Sequence, residues 1–200
     1  MFWYEDEIKG LEKKRAELTY QPETVFYGSS TIRLWVSLSR DFSEIKPVNL
    51  GFGGSTLAAC TWFFDRVMAS YEPKRLVFYA GDNDLGDGRH PEEVFIFFQQ
   101  LAVRVAGRYG SIPCYFISLK PSISRWNIVD QFSYANRLIS AEIKDHHPNW
   151  QFIDIFAAML NAEGKPNAAY YSVDGLHLSE KGYGVWKTII NDAISRQLTV

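Results

Sequence analysis

Cysteine is scarce in this chain, with only Cys60 and Cys114 among 200 residues. Two thiols cannot build a disulfide framework, and both lie in apolar runs, so the expectation is a pair of buried thiols. With the four histidines they form no compact structural-zinc motif, so no metal is expected. Long apolar runs are lacking too: none reaches about 18 residues, the length that predicts a membrane-spanning helix. The opening MFWYEDEIKGLEKKRAEL carries acidic residues and lacks a basic start leading into an apolar signal segment, which favours cytoplasmic residence. An excess of one charge is missing as well. The 21 basic and 23 acidic side chains are interspersed and leave a formal net charge of -2, which argues against a nucleic-acid partner and against broad attraction to an acidic membrane. A small neutral or weakly charged substrate is the easier fit.

What the chain does have is apolar substance: 46% of residues are hydrophobic and 22% charged, enough for one globular domain over 1–200 with a substantial core. Within residues 1–20, Tyr4, Ile8, Leu11 and Leu18 recur at helical spacing and predict a docking helix. That helix can cover its own domain or another chain, so the oligomeric state stays open. Beyond Pro22, the runs TVFYG, PVNLG, RLVFYAG, IPCYFISL and QFIDIF read as strands. Helical segments alternate with them, beginning at STIRLWVSL, LAACTWFFDRVMASY and PEEVFIFFQQLAVRVAGRYG, where Pro91 suits a first helical turn and Val94, Phe98, Leu101 and Val105 align on one face. A later segment aligns Phe132, Ala135, Leu138, Ile139 and Ile143. The last, SEKGYGVWKTIINDAISRQL, aligns Tyr183, Trp186, Ile190, Ala193 and Ile194, with Ser179 as its cap. Five short strands alternating with helices predict a three-layer α/β sandwich around a mainly parallel five-stranded sheet, because helices on both faces cover the apolar strands.

In such a sheet, ligand sites form where strand ends meet helix starts, which is where YGSST falls. Gly28 permits a tight turn there, and Ser29, Ser30 and Thr31 serve equally as helix caps or as candidates for a nucleophile. The familiar GxSxG elbow is incomplete, since Ile32 stands at its last position. A partner is offered by SVDGLHLSEKGYGVW, where a loop can turn Asp174 toward one nitrogen of His177 and leave the other free for a hydroxyl. The same two residues can equally organise a turn and cap a helix. His90 and the His146-His147 pair read as helix-end or surface residues. The acidic run GDNDLGDG lacks the spacing of a calcium loop.

Taken in order, FYGSST, NLGFGGST, AGDNDL and DGLHLSEKGY resemble the SGNH, or GDSL-like, hydrolase family, and the resemblance spans most of the chain. It implies a flavodoxin-like fold and an esterase that uses no metal or organic cofactor. Residue by residue, it implies Ser30 as nucleophile, Asp174 and His177 as acid and base, and an oxyanion hole from Ser30, Gly54 and Asn83. Ser29 stands where the family's GDS motif has aspartate, a residue outside the triad. The segment SLKPSISRW offers a candidate substrate rim in Lys120, Arg125 and Trp126, although a solvated basic face explains them as well. The expected partner is a small acyl ester, short or acetyl, including carbohydrate O-acetyl esters. The alternatives are a lysophospholipase or acyl-thioesterase and, in another class, a catalytically silent carbohydrate-binding or scaffold domain.

Overall fold

Apolar runs that are buried along their whole length demand cover on both faces, and the computed structural model, which describes residues 1–197, supplies it. Helix α1 (Glu5–Glu17) is followed by β1 (Thr24–Gly28), the single turns α2 (Ser30–Arg33) and α3 (Leu38–Asp41), and β2 (Pro47–Gly51). Then come α4 (Leu57–Met68), β3 (Arg75–Tyr79), the short α5 (Asp82–Gly86), α6 (Pro91–Tyr109) and β4 (Cys114–Ile117). Helix α7 (Val129–His146), β5 (Trp150–Ile153) and α8 (Glu180–Gln197) complete the order. All five strands pair in parallel, in the order β2-β1-β3-β4-β5. This is the expected three-layer α/β fold, with its switch point between β1 and β3.

Successive strand residues point to opposite faces, and β1 shows how the two cores are divided. Phe26 packs on Trp35 and Phe42, whereas Tyr27 packs on Phe52 and Phe64 of the other layer. Trp35 in turn meets Tyr183 and Trp186 of α8, and Trp186 meets Tyr79 of β3. The stripes anticipated on α6 and α8 are buried, as are Phe132, Ala135, Ile139 and Ile143 of α7, whereas Leu138 is half-buried. Cys60 and Cys114 are free and buried, and burial pushes both thiols up.

Several expected elements come out shorter, β4 among them, which keeps only Cys114–Ile117 of IPCYFISL. STIRLWVSL does not run as one helix; the chain breaks between α2 and α3, where the Trp35 indole turns inward to donate to Asp41 Oδ2 at 2.9 Å. The last strand stops at Ile153 because Asp154 accepts the Phe156 N–H at 2.8 Å, a side-chain turn that bends the chain away. Helix α1 lies on α4 of its own chain, with Arg66 paired to Glu5 and Glu12 at 2.9 Å each.

Candidate active site

Because every strand runs the same way, the loops after all five open at one edge of the sheet. Gly28 ends β1 with φ +152, and a Cβ there would lie 1.9 Å from the Tyr79 carbonyl oxygen, so only glycine lets β1 turn this close to β3. The next two residues diverge. Ser29 is fully buried, while Ser30 begins α2 half-exposed, its Oγ 2.9 Å from His177 Nε2.

His177 lies in a hairpin-like loop closed by the Ser172 N–H bonded to the His177 carbonyl at 2.8 Å. Its Nδ1 is 2.6 Å from Asp174 Oδ2, and Asp174 Oδ1 accepts the N–H groups of Leu176 and His177 and the Ser172 hydroxyl. Burial pushes the Asp174 carboxyl up, but these donors, His177 foremost, hold it well below the usual range. An ionised carboxylate only accepts, so His177 Nδ1 carries a proton, the tautomer in which a neutral imidazole turns its Nε2 lone pair to the Ser30 hydroxyl.

The loops after β2 and β3 are tied to this turn by a chain of bonds. Ser55 Oγ donates to the Gly28 carbonyl at 3.1 Å, and Asn83 Nδ2 donates to the Ser55 carbonyl at 3.0 Å. Asp84 accepts the Leu57 N–H at 2.6 Å, tying α5 to the first turn of α4, and burial raises its carboxyl despite these donors and Arg89. Gly54 takes φ +63, a left-handed conformation, which presents the backbone on the exposed side of the loop. Among the described residues, neither the Ser30 nor the Gly54 N–H has an acceptor. Three donors are thus left at the edge where Ser30 stands: two backbone N–H groups and the second N–H of the Asn83 amide.

The pattern of the GDSL-like lipase/acylhydrolase family matches residues 24–185, from β1 to the first turns of α8. The chain belongs to this family. As a GDSL-like acylhydrolase it is an enzyme that hydrolyses esters. Solved structures agree in fold: a candidate acylhydrolase from Bacteroides fragilis superposes with TM-score 0.79 at 23% identity over 95% of this chain and 96% of that one. A GDSL-like lipase from Bacteroides thetaiotaomicron gives 0.76 at 22% identity, covering 95% and 98%. An acetyl-xylooligosaccharide esterase from Geobacillus Stearmophilus gives 0.66 at 12% identity, covering 85% and 93%. No curated protein matches in sequence.

Against the GDSL pattern, the three residues expected at a rim separate. Lys120 is 1% exposed and therefore does not line a rim; its Nζ sits 3.3 Å from both Asp82 Oδ2 and the Tyr79 hydroxyl. Burial lowers the Lys120 ammonium, while burial of Asp82 is more than offset by Lys120 and Arg125, which hold that carboxyl below its usual range. Arg125 is turned inward onto α5. Trp126 is half-buried with Lys165 Nζ 4.7 Å above its ring. Two residues near the site carry no local sequence signal beyond their helix: the Tyr4 hydroxyl donates to the Gly54 carbonyl at 3.0 Å, and Glu7 accepts the Gly53 N–H at 2.9 Å. The clue available was that a tyrosine on a buried stripe needs an acceptor. Among the described residues no three His, Cys, Asp or Glu side chains gather as metal ligands, and no helix is long and apolar enough to cross a membrane.

Proposed function

We propose that this GDSL-like enzyme is a serine esterase that works through an acyl-serine intermediate on short acyl or acetyl esters. The observation that carries the reading is the continuous relay from Ser30 Oγ through His177 to Asp174, at 2.9 and 2.6 Å. Ser30 Oγ attacks the acyl carbon as its proton passes to His177 Nε2, and the carbonyl π pair moves onto oxygen. The Ser30 N–H, the Gly54 N–H and the Asn83 amide receive that oxyanion. Collapse breaks the bond to the alcohol, which leaves with the proton from His177. Water, deprotonated by the same histidine, then attacks the acyl-serine, and the acid departs as Ser30 regains its proton.

The short-acyl preference draws on two clefts in the loops that neighbour the relay, neither lined by Ser30 or His177 themselves. One of about 460 Å³ is lined by Gly86, His90, Ser124, Arg125, Asn127 and Gln131 among others. Another of about 790 Å³, next to Leu34 and Leu178, carries Arg40, Asp41, Glu180 and Lys187. Walls that mix charged and amide groups with apolar ones such as Leu85, Ile128 and Val36 suit a hydroxyl-bearing leaving group better than a long hydrocarbon chain. The test is a fluorophosphonate label located by mass spectrometry, with a panel of esters of increasing acyl length. Label on Ser30, acetyl esters turned over fastest, and no turnover in Ser30→Ala are expected. Unlabelled Ser30 together with unchanged hydrolysis in S30A would refute the assignment.

A further inference from the structure

Asn83 has one amide and two jobs, since Nδ2 must face both the Ser55 carbonyl and the reacting oxygen. An asparagine side chain can rotate, so something has to fix its orientation from the carbonyl side. Arg125, in the loop after β4, is placed to do so: Nη2 donates to Asn83 Oδ1 at 3.0 Å, and Nη1 donates to the Asp82 backbone carbonyl at 2.8 Å. A guanidinium has no acceptor, so only the amide oxygen can face it, and Nδ2 is directed away toward Ser55 and the oxyanion position. The bond also draws electron density toward Oδ1, which strengthens the amide N–H groups as donors.

The fit of the guanidinium depends on Gly86 at the end of α5. A Cβ at Gly86 would stand 2.6 Å from Arg125 Cζ and 2.7 Å from Nη2, so the absence of a side chain there is what admits the guanidinium. The Arg125 loop is in turn joined to the relay loop, since the Ser124 N–H donates to the Gly175 carbonyl at 3.1 Å. The Arg125 side chain is 18% exposed and engaged on the α5 side, which separates it from a residue reaching out for substrate.

We propose that Arg125, seated on Gly86, is a positioning residue that holds the Asn83 amide in the orientation required of an oxyanion donor. The inference rests on the serine-esterase reading above. Its test compares parent, Arg125→Ala, Gly86→Ala and Asn83→Ala, and the R125A/N83A and G86A/N83A pairs, with p-nitrophenyl acetate as substrate and fluorophosphonate labelling as a second rate. R125A is expected to lower kcat about 10-fold or more with KM changed by less than about 3-fold, and to slow labelling in parallel. G86A, which keeps the arginine and displaces its head, is expected to behave alike and carries the test if R125A fails to fold. In the N83A background neither substitution is expected to add more than about 2-fold, because the group they position is gone. A rise in KM with kcat retained, or losses that multiply with N83A, would overturn the proposal. A parent enzyme with neither hydrolysis nor Ser30 labelling would instead remove the esterase reading, and this inference with it.

Discussion

Ser29 and Ser30 carry the same side chain one residue apart, yet the turn after β1 gives them opposite surroundings. Ser29 Oγ is buried and makes no hydrogen bond to the described residues, whereas Ser30 Oγ meets His177 at 2.9 Å. Removing a buried hydroxyl that has no protein partner forfeits little, and net contributions of single hydrogen bonds are only about 1 kcal/mol. Ser29→Ala is therefore expected to keep turnover within about 3-fold and stability within about 1 kcal/mol of the parent, read by ester assay and urea unfolding. An S29A enzyme as dead as S30A would shift the chemistry to the first serine. At this scale the sequence was informative wherever a residue's partner belonged to a familiar block, as with Ser30, Asp174 and His177. It was uninformative for Lys120 and Arg125, whose partners Asp82 and Asn83 lie about forty positions away on another loop. A cation in a loop of serines and prolines looks like surface until the facing loop is known.

Elements were legible where one face repeated. The stripes on α6 and α8 and the five apolar runs announced themselves because both cores are continuous, but the ends of α2 and β5 depended on single side chains, Trp35 and Asp154, that no periodicity reveals. Helix α1 shows a further limit. The spacing gave the buried stripe, while contacts with the Gly53–Gly54 loop come from the hydroxyl of Tyr4, just before the helix, and from Glu7, which also lies 3.5 Å from Arg33. These two bonds hold the carbonyl of Gly54 and the N–H just before it, while the Gly54 N–H has no acceptor among the described residues. Glu7→Gln combined with Tyr4→Phe is expected to lower kcat about 3- to 10-fold while KM moves less, at a stability cost of about 1–2 kcal/mol. Steady-state kinetics beside thermal unfolding checks this: a fall in stability with kcat intact would make α1 a cover for α4 and nothing more.

Across the whole molecule, parallel strands bring Ser30, Gly54, Asn83, Arg125 and the Asp174–His177 loop to one sheet edge, and the buried charges gather there too. Asp82 and Lys120 are both nearly inaccessible, so folding takes up their charge only as a pair. Lys120 and Arg125 lower the Asp82 carboxyl against the effect of burial. A carboxyl lowered on folding contributes stability that is complete above its unfolded value, near 3.8, and is lost as pH falls through the folded value. Asp174 acts with the same sign, discounted because its side chain is 46% exposed. Asp84 has the opposite sign: burial raises it, so its share of stability grows as pH falls toward 3.8. On acidification the unfolding free energy is expected to hold or rise slightly at first, then to fall below about pH 4, each group setting a slope of at most about 1.4 kcal/mol per pH unit. Asp82→Asn with Lys120→Met removes both charges of the pair, while Arg125, 3.7 Å from the same carboxylate, keeps its bonds to the Asp82 carbonyl and Asn83 Oδ1. Urea titrations at stepped pH should then show a shallower loss between about pH 4 and pH 2 in the double variant than in the parent. Superimposable acid limbs would mean that the Asp82–Lys120 pair does not set the acid stability of this edge.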